Sequence, residues 1–314
     1  MLSRTADHLY WMSRYIERAE SVARLVDAQY RMSLLPHSGD ALEASLLSTM
    51  IALRVDQAYA KKRDKVTPRL VFDFLTIDRE FSGSIVNCLK AARENARAVR
   101  GSLTSEVWET LNSTWLDARS MTARRSAASD TGHFVEWVKE RSHLTRGVTI
   151  GTMLRDEAFY FSRIGAFLER GDSTARLLTA HQSDLMPGAD AGAVPDPFHW
   201  SVLLRALSAF EIYRRVYRNV ITPIKVAEML ILRDDIPRSL LRCAKEVYSN
   251  LKAVANDQSQ ETERRAGEIH SRLHFGRMED INDVGISAFL EHYLDRLSDL
   301  GDRISSDFLV PVGA

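Results

Sequence analysis

The stretch YIERAESVARLV at residues 15–26 is followed, about half a chain later, by FLERGDSTARLL at residues 167–178. The two stretches share Glu, Arg, Ser, Ala, Arg and Leu at the same places, 152 residues apart. Around the first stretch the apolar residues step by three and four, which predicts a helix with one face in the core. This apolar stripe consists of Leu9, Met12, Ile16, Ala19, Ala23, Val26 and Tyr30. A helix needs that apolar spacing but not these particular charges, so the shared Glu and Arg residues require a separate explanation.

The repetition extends beyond these two stretches. Two further blocks match at an offset of 155 residues: VTPRLVFDFL (66–75) with ITPIKVAEML (221–230), and FVEWVKER (134–141) with FLEHYLDR (289–296). The change of offset falls at MPGADAGAVPDP (186–197), a turn-rich loop. Because the blocks stay collinear, we interpret the chain as a tandem duplication with units at 1–150 and 151–314.

Helical patterns run through both units, and no convincing run of alternating strand residues interrupts them. Thr67-Pro68 and Thr222-Pro223 predict capped helix starts at matching positions of the two units. Asp196-Pro197 predicts a further cap, followed by one long amphipathic helix over 198–218. We therefore predict an all-α fold in which two related bundles of about four to six helices pack into one elongated or compact unit.

Composition excludes several classes of protein. The 314 residues include 42 basic and 42 acidic side chains, so no net field attracts nucleic acid or an anionic membrane. Two cysteines are too few for a secreted disulfide framework. Cys88 and Cys243 lie on apolar helical runs and are expected to be core thiols. The first residues lack a secretion signal, and no apolar stretch is long enough to span a bilayer, so we expect a cytoplasmic protein.

Charged residues form a second stripe beside the apolar one. The candidate catalytic residues are Glu17, Glu20, Glu169 and Asp172. The candidate substrate-binding residues are Arg18, Arg24, Arg170, Arg176, Asp73, Glu228, Asp56 and Glu211. The last four are acids at matching positions of apolar helices, where a carboxylate needs a partner, and guanidinium groups suit carboxylates well. Each unit is thus expected to enclose an acid–arginine cluster drawn from three helices.

Three interpretations of such a cluster remain open. Salt bridges that fix helix register are the first, since buried ion pairs are often devices of specificity. A site in which arginine holds a carboxylate or phosphate is the second. A carboxylate-bound divalent metal is a minority interpretation, because the Glu-x-x-His steps of di-iron bundles are missing beside these acids. No cofactor is predicted.

Four stretches together resemble the bacterial alpha-E domain family: residues 1–28, 136–159, 167–178 and 198–232. The repeated Glu-Arg is the most specific mark of this resemblance, carried by Glu17-Arg18 and Glu169-Arg170. Members of the family typically accompany, or are fused to, a circularly permuted ATP-grasp protein and a transglutaminase-like peptidase. The second unit departs from the first at Asp172, which is shorter than Glu20. Whether the two units are functionally equivalent stays open, since a site that needs strict geometry would not tolerate this change.

The resemblance implies a role in making, modifying or cleaving amide-linked peptides or related molecules. We therefore expect an accessory or binding component of an ATP-grasp-linked ligation system, with the ligase and the peptidase as partners. One alternative is a stand-alone amide hydrolase or ligase that depends on the carboxylates or on a metal. The other is a purely structural helical scaffold.

Overall fold

A computed structural model describes residues 1–34, 39–124, 129–180 and 197–309. This part of the chain forms fifteen α-helices and one short 3-10 turn and contains no β-strand, which confirms the predicted all-α fold. The helices are α1 (Ser3–Ser33), α2 (Gly39–Ala52), α3 (Asp56–Ala60), α4 (Pro68–Thr76), α5 (Ile85–Ala98), α6 (Ser105–Arg124), α7 (Ser129–Thr152), α8 (Glu157–Ala180), α9 (Pro197–Ala206), α10 (Phe210–Tyr217), α11 (Pro223–Leu232), α12 (Leu240–Ala253), α13 (Gln260–His274), α14 (Met278–Val284) and α15 (Ile286–Phe308). Among these residues, no helix has both the length and the apolar character needed to cross a membrane.

Helices α1 and α8, which carry the repeated motif, pack against each other at the centre of the molecule. Helices α5 and α7 also pack on α1, while α12 and α15 pack on α8. The predicted stripe of α1 faces the core, with Leu9 and Ala23 fully buried and Ile16 and Tyr30 partly so. At Gly165 the backbones of α1 and α8 come so close that a Cβ would lie 2.3 Å from the carbonyl oxygen of Tyr10. Glycine is what permits this approach.

Helices α5 and α12 begin in the same way, 155 residues apart. The Ser84 hydroxyl accepts the N–H of Asn87 at the start of α5, and the Ser239 hydroxyl accepts the N–H of Arg242 at the start of α12. Both helices have fourteen residues, and each buries a cysteine in its first turn, as expected of core thiols. Burial raises the pKa of both thiols to about 12, so neither is poised as a thiolate.

The predicted Thr-Pro caps differ from each other. The Thr67 hydroxyl accepts the N–H of Leu70 at 3.4 Å, as expected. Thr222 makes no side-chain cap, and its own N–H donates instead to the Tyr213 hydroxyl at 3.1 Å. The prediction of equal caps was therefore wrong for the second unit.

The single long helix predicted over 198–218 is also wrong, because the chain breaks between α9 and α10. Ser208 has φ +55°, and Arg54 between α2 and α3 has the same value, so each interrupts a helix with one left-handed residue. Asp196 and most of the loop at 186–197 lie outside the described residues. These breaks help to explain why α1–α7 and α8–α15 outnumber the predicted four to six helices per bundle.

The apolar core crosses the predicted boundary between the units. One buried cluster lies wholly within residues 19–138, but a second contains residues from α1 as well as from α8 to α15. The boundary at residue 150 lies inside α7. The division into units at 1–150 and 151–314 therefore stays a prediction from the sequence.

The Gly165→Ala substitution tests the contact between α1 and α8. The new methyl group would meet backbone, so the helices must separate, and we expect the free energy of unfolding to fall by about 1–3 kcal/mol in urea denaturation. Gly147→Ala is the matched control, since Gly147 also lies in a helix but a Cβ there meets nothing within 4 Å. The control should be neutral or more stable by up to about 1 kcal/mol. Equal effects at the two positions would contradict the close approach.

Candidate functional site

The two Glu-Arg motifs bind each other across the interface of α1 and α8. Arg170 donates to both carboxylate oxygens of Glu17 through Nε and Nη2, at 2.9 and 2.6 Å. Arg18 does the same to Glu169, at 2.6 and 2.9 Å. The glutamate of each motif thus binds the arginine of the other motif. This reciprocal pairing supplies the physical reason for the repeated charges: the pairs are bidentate and largely buried.

A larger group of charges surrounds the first motif. We call it the closed cluster, and it comprises Glu17, Glu20, Arg24, Ser142, Arg146, Arg170 and Arg238. Glu20 is fully buried and accepts from four side chains: Arg24 Nε at 2.8 Å, Arg238 Nη2 at 2.7 Å, Arg146 Nη2 at 2.5 Å and Ser142 Oγ at 2.5 Å. Arg238 also reaches Glu17 at 2.9 Å and so bridges the two glutamates.

The arginines keep the buried glutamates ionised. Burial alone would raise the pKa of Glu20, but the guanidinium groups of Arg238, Arg146 and Arg24 lower it well below its usual value. Burial also acts against ionisation of Glu17, and Arg170 and Arg238 again lower its pKa. In the closed cluster four guanidinium groups meet two carboxylates, and the carboxylates are saturated with donors.

The second motif has a different environment. Glu169 accepts from Arg14 Nε at 2.7 Å in addition to Arg18, and these two arginines lower its pKa against the opposing effect of burial. Arg14 also lies 4.8 Å from the ring of Trp11. One turn further along α8, Asp172 pairs with Arg176 at 2.7 and 2.8 Å, and both side chains remain about a quarter exposed.

A cavity of about 520 Å³ opens beside Glu169 and Asp172. We call it the open cavity. Its charged lining consists of Arg14, Arg18, Arg54, Arg176, Glu169, Asp172 and Asp302. Four cations and three anions leave one excess positive charge. A cavity beside the closed cluster, lined by Ser142, Arg146 and Arg170 among others, measures only about 60 Å³.

The sequence shows why one side is filled and the other is open. We call two residues counterparts when the offset of the repeat separates them: 152 residues between α1 and α8, 155 from α4 onward, and 154 at the helix breaks. Asp172 is the counterpart of Glu20. The donors to Glu20 that come from outside α1 all have counterparts without a donor group: Ser142, Arg146 and Arg238 correspond to Leu297, Gly301 and Gly83. All three counterparts line the open cavity.

Three polar groups at the open cavity have no side-chain partner within the described part of the chain. Arg54 and Asp302 are exposed and form no ion pair there. The Ser21 hydroxyl is buried and makes no hydrogen bond. A cation, an anion and a hydroxyl are thus available on the wall of one cavity.

Four predicted site residues lie elsewhere. Asp73 lies 4.0 Å from Arg69 on its own helix, and Glu228 accepts from the Tyr217 hydroxyl at 3.1 Å. Asp56 begins α3 and Glu211 lies exposed in α10.

None of these four acids belongs to the closed cluster or lines the open cavity. The expected cluster of three helices in each unit was therefore wrong: Glu17 and Glu169 pair with arginines across the interface of α1 and α8 instead. The matching of Asp56 with Glu211 also fails, because the helix breaks shift the local offset to 154 residues.

Sequence reasoning missed Arg14, Ser142, Arg146 and Arg238. Comparison of the two units hides them, because their counterparts are Ala166, Leu297, Gly301 and Gly83. The spacing of Ser142 and Arg146 was a usable signal, since residues four apart share a helix face.

Glu17→Gln tests whether the reciprocal pairs hold α1 to α8. It leaves Arg170 and Arg238, each about 6% exposed, without their full counter-charge. We expect the free energy of unfolding to fall by about 3–5 kcal/mol. Glu261→Gln is the control, because Glu261 pairs with Arg264 and Arg265 at the surface and should matter little. Unchanged stability of Glu17→Gln in denaturant would exclude a structural role for the pair.

The lowered pKa values of Glu17, Glu20 and Glu169 predict how stability depends on pH. In the unfolded chain these groups take up protons near pH 4.5, whereas in the folded chain they resist protonation until lower pH. Their contribution is therefore complete above about pH 5 and is lost as the pH falls through the folded pKa values. Urea denaturation from pH 7 to 3 should show this loss, and a smaller one in Glu17→Gln. Constant stability down to about pH 3 would contradict the assignment.

Comparison with known proteins bears on the same motif. The family model Alpha-E, described as a predicted alpha-helical domain with a conserved ER motif, matches residues 1–309. Glu17-Arg18 and Glu169-Arg170 fit that description and are the pairs that cross between α1 and α8.

Relatives are found in mycobacteria. An uncharacterized protein of Mycobacterium bovis and two of Mycobacterium tuberculosis, strains CDC 1551 / Oshkosh and H37Rv, are each 25% identical over 299 residues, which covers 90% of this chain. The chain spans only a third of the length of these relatives, 33% in each case. No solved structure matches the chain. The match over residues 1–309, together with the observed helices, shows that the chain belongs to the Alpha-E family.

Proposed function

We propose that this chain is the substrate-binding component of an amide ligation or modification system, and that the open cavity holds an anionic group of the substrate. The observation that carries the proposal is the contrast between the two sides of α1 and α8. On one side arginines fill the hydrogen-bonding positions of the carboxylates. On the other side the counterparts of those arginines line a cavity of about 520 Å³.

The size and charge of the cavity suit a small anionic ligand. Small-molecule sites generally measure about 300–1,000 Å³, with a few polar groups that fix orientation. Among the described residues Arg54 lines this cavity without an ion pair, and a guanidinium group binds a carboxylate or a phosphate through two parallel hydrogen bonds. Arg14 and Arg18 are both paired with Glu169, so their charges are partly compensated by that carboxylate.

The glutamates are poor candidates for proton transfer. A general acid or base works best with a pKa near the working pH. The pKa values of Glu17, Glu20 and Glu169 are lowered, and each carboxylate already accepts charged hydrogen bonds. This favours a structural role for the closed cluster and binding, in place of catalysis, at the open cavity.

The partners in this proposal are an ATP-grasp-type ligase and a transglutaminase-like peptidase. Their support is the family resemblance. In the mycobacterial relatives about two thirds of the polypeptide lies outside the matched region, so a domain of this kind occurs joined to further chain. A binding domain joined to an enzyme raises the local concentration of its substrate.

Arg54→Gln tests anion binding at the cavity. Calorimetric titration of the full chain with succinate and with inorganic phosphate should show weaker binding by about 10-fold or more, as expected for the loss of one charged hydrogen bond. Arg119→Gln is the control, since Arg119 is an exposed arginine on α6, outside the cavity. No binding of either anion to the unaltered chain, or equal binding by Arg54→Gln, would overturn the proposal.

Co-purification tests the partner assignment separately. The full chain should retain an ATP-grasp-type ligase and a transglutaminase-like peptidase from the same organism when each is produced with it. If neither protein is retained, the assignment of partners fails, whatever the cavity binds.

A further inference from the structure

The closed cluster indicates which chemical group the open cavity lacks. The carboxylate of Glu20 is held by guanidinium groups that arrive from α7 and from the start of α12, through Arg146 and Arg238. Around Asp172 the counterparts of these arginines are Gly301 and Gly83, which present no side chain. The position that a guanidinium fills on one side is therefore part of a cavity on the other.

Asp172 retains capacity to accept hydrogen bonds. An ionised carboxylate has about four acceptor positions. Glu20 uses its positions on Arg24, Arg146, Arg238 and Ser142, whereas Asp172 accepts from Arg176 within the described part of the chain. An incoming guanidinium or ammonium group would complete its environment.

The charges that differ between the two sides have opposite signs. Asp302 lines the open cavity where the closed side has Gly147, and Arg54 lines it where the closed side has Ser208. Ser208 accepts a hydrogen bond from Arg24 on the closed side, whereas Arg54 brings a cation to the corresponding position of the open side. Counting only the residues that the structure describes, the open cavity has one anion and one cation without an ion pair.

We propose that the open cavity binds arginine or a short arginine-containing peptide. The ligand's guanidinium group lies against Asp172 and Asp302, in the place that Arg146 and Arg238 fill on the closed side. Its carboxylate lies against Arg54. This inference rests on the proposed function, since it names the ligand of the same cavity, and it predicts that the ligand carries both charges.

Calorimetric titration of the full chain with matched ligands tests the inference. L-arginine and glycyl-arginine carry both charges, citrulline and glycyl-citrulline replace the guanidinium with a neutral group of similar shape, and agmatine lacks the carboxylate. The neutral ligands and agmatine should each bind at least about 10-fold more weakly than their arginine counterparts, since each loses a charged pair. Binding of agmatine as tight as that of arginine would overturn the proposed carboxylate contact.

Two variants locate the guanidinium. Asp302→Asn, at an exposed position, should weaken arginine binding while leaving succinate binding unchanged or tighter. Gly301→Arg should place a guanidinium from within the chain in the cavity, because a Cβ at Gly301 meets only Leu168 Cδ2 at 3.7 Å. It should abolish arginine binding and raise the melting temperature. Gly301→Ala is the control for helix propensity and should still bind arginine.

The outcomes separate the two proposals. If succinate or phosphate binds in an Arg54-dependent way but the arginine ligands bind no better than the citrulline ligands, the inference fails and the anion site stands. If none of these ligands binds, both fail. If arginine binds equally well to the unaltered chain and to Asp302→Asn and Gly301→Arg, it binds outside the cavity, and the inference also fails.

Discussion

The reciprocal pairing of Glu17 with Arg170 and of Glu169 with Arg18 is the constraint on which the rest of the structure depends. Charges are costly to bury. Buried ion pairs are stable only when their geometry is good and their remaining donors and acceptors are hydrogen-bonded. Here both pairs are bidentate and lie about one helical turn from Gly165, where the backbones of α1 and α8 approach closely. The register of the two helices is therefore fixed by hydrogen bonds as well as by apolar packing, and a slip of one residue would break both pairs together.

This arrangement joins Glu17 of α1 to an arginine of α8, and Glu169 of α8 to arginines of α1. The surroundings of Glu17 and Glu20 are built largely from arginines of α7, α8 and the segment before α12. Those of Glu169 come from arginines of α1. A change at a residue that belongs to only one of the two sites, such as Arg146 or Asp302, thus alters that site while the pairing of α1 with α8 stays intact. That property allows one site to be filled by side chains and the other to remain open.

The sequence predicts the helical class, the capped helix start at Thr67-Pro68 and the repeated Glu-Arg motif, because these depend on local spacing. It does not predict the partners of the motif. Residues 152 apart pair across the molecule, and only the packing of α1 on α8 brings them together. Arg146 and Arg238 are invisible to a comparison of the units because glycines stand opposite them. The helix breaks at Arg54 and Ser208 are not predicted either, because neither left-handed residue is a glycine.

The open side gives up stability that the closed side keeps. Asp172 accepts from Arg176 but lacks the three donors that Glu20 receives from outside α1. Within the described part of the chain Arg54 forms no ion pair, whereas its counterpart Ser208 accepts a hydrogen bond from Arg24. A helix glycine and a left-handed residue occur on both sides, so they do not distinguish the two sides. A purely structural scaffold has no reason to accumulate these features around one cavity, since the chain already contains a better-satisfied version of the same cluster. Local destabilisation concentrated at a polar cavity is instead what a binding site requires, because the ligand provides the missing contacts when it arrives.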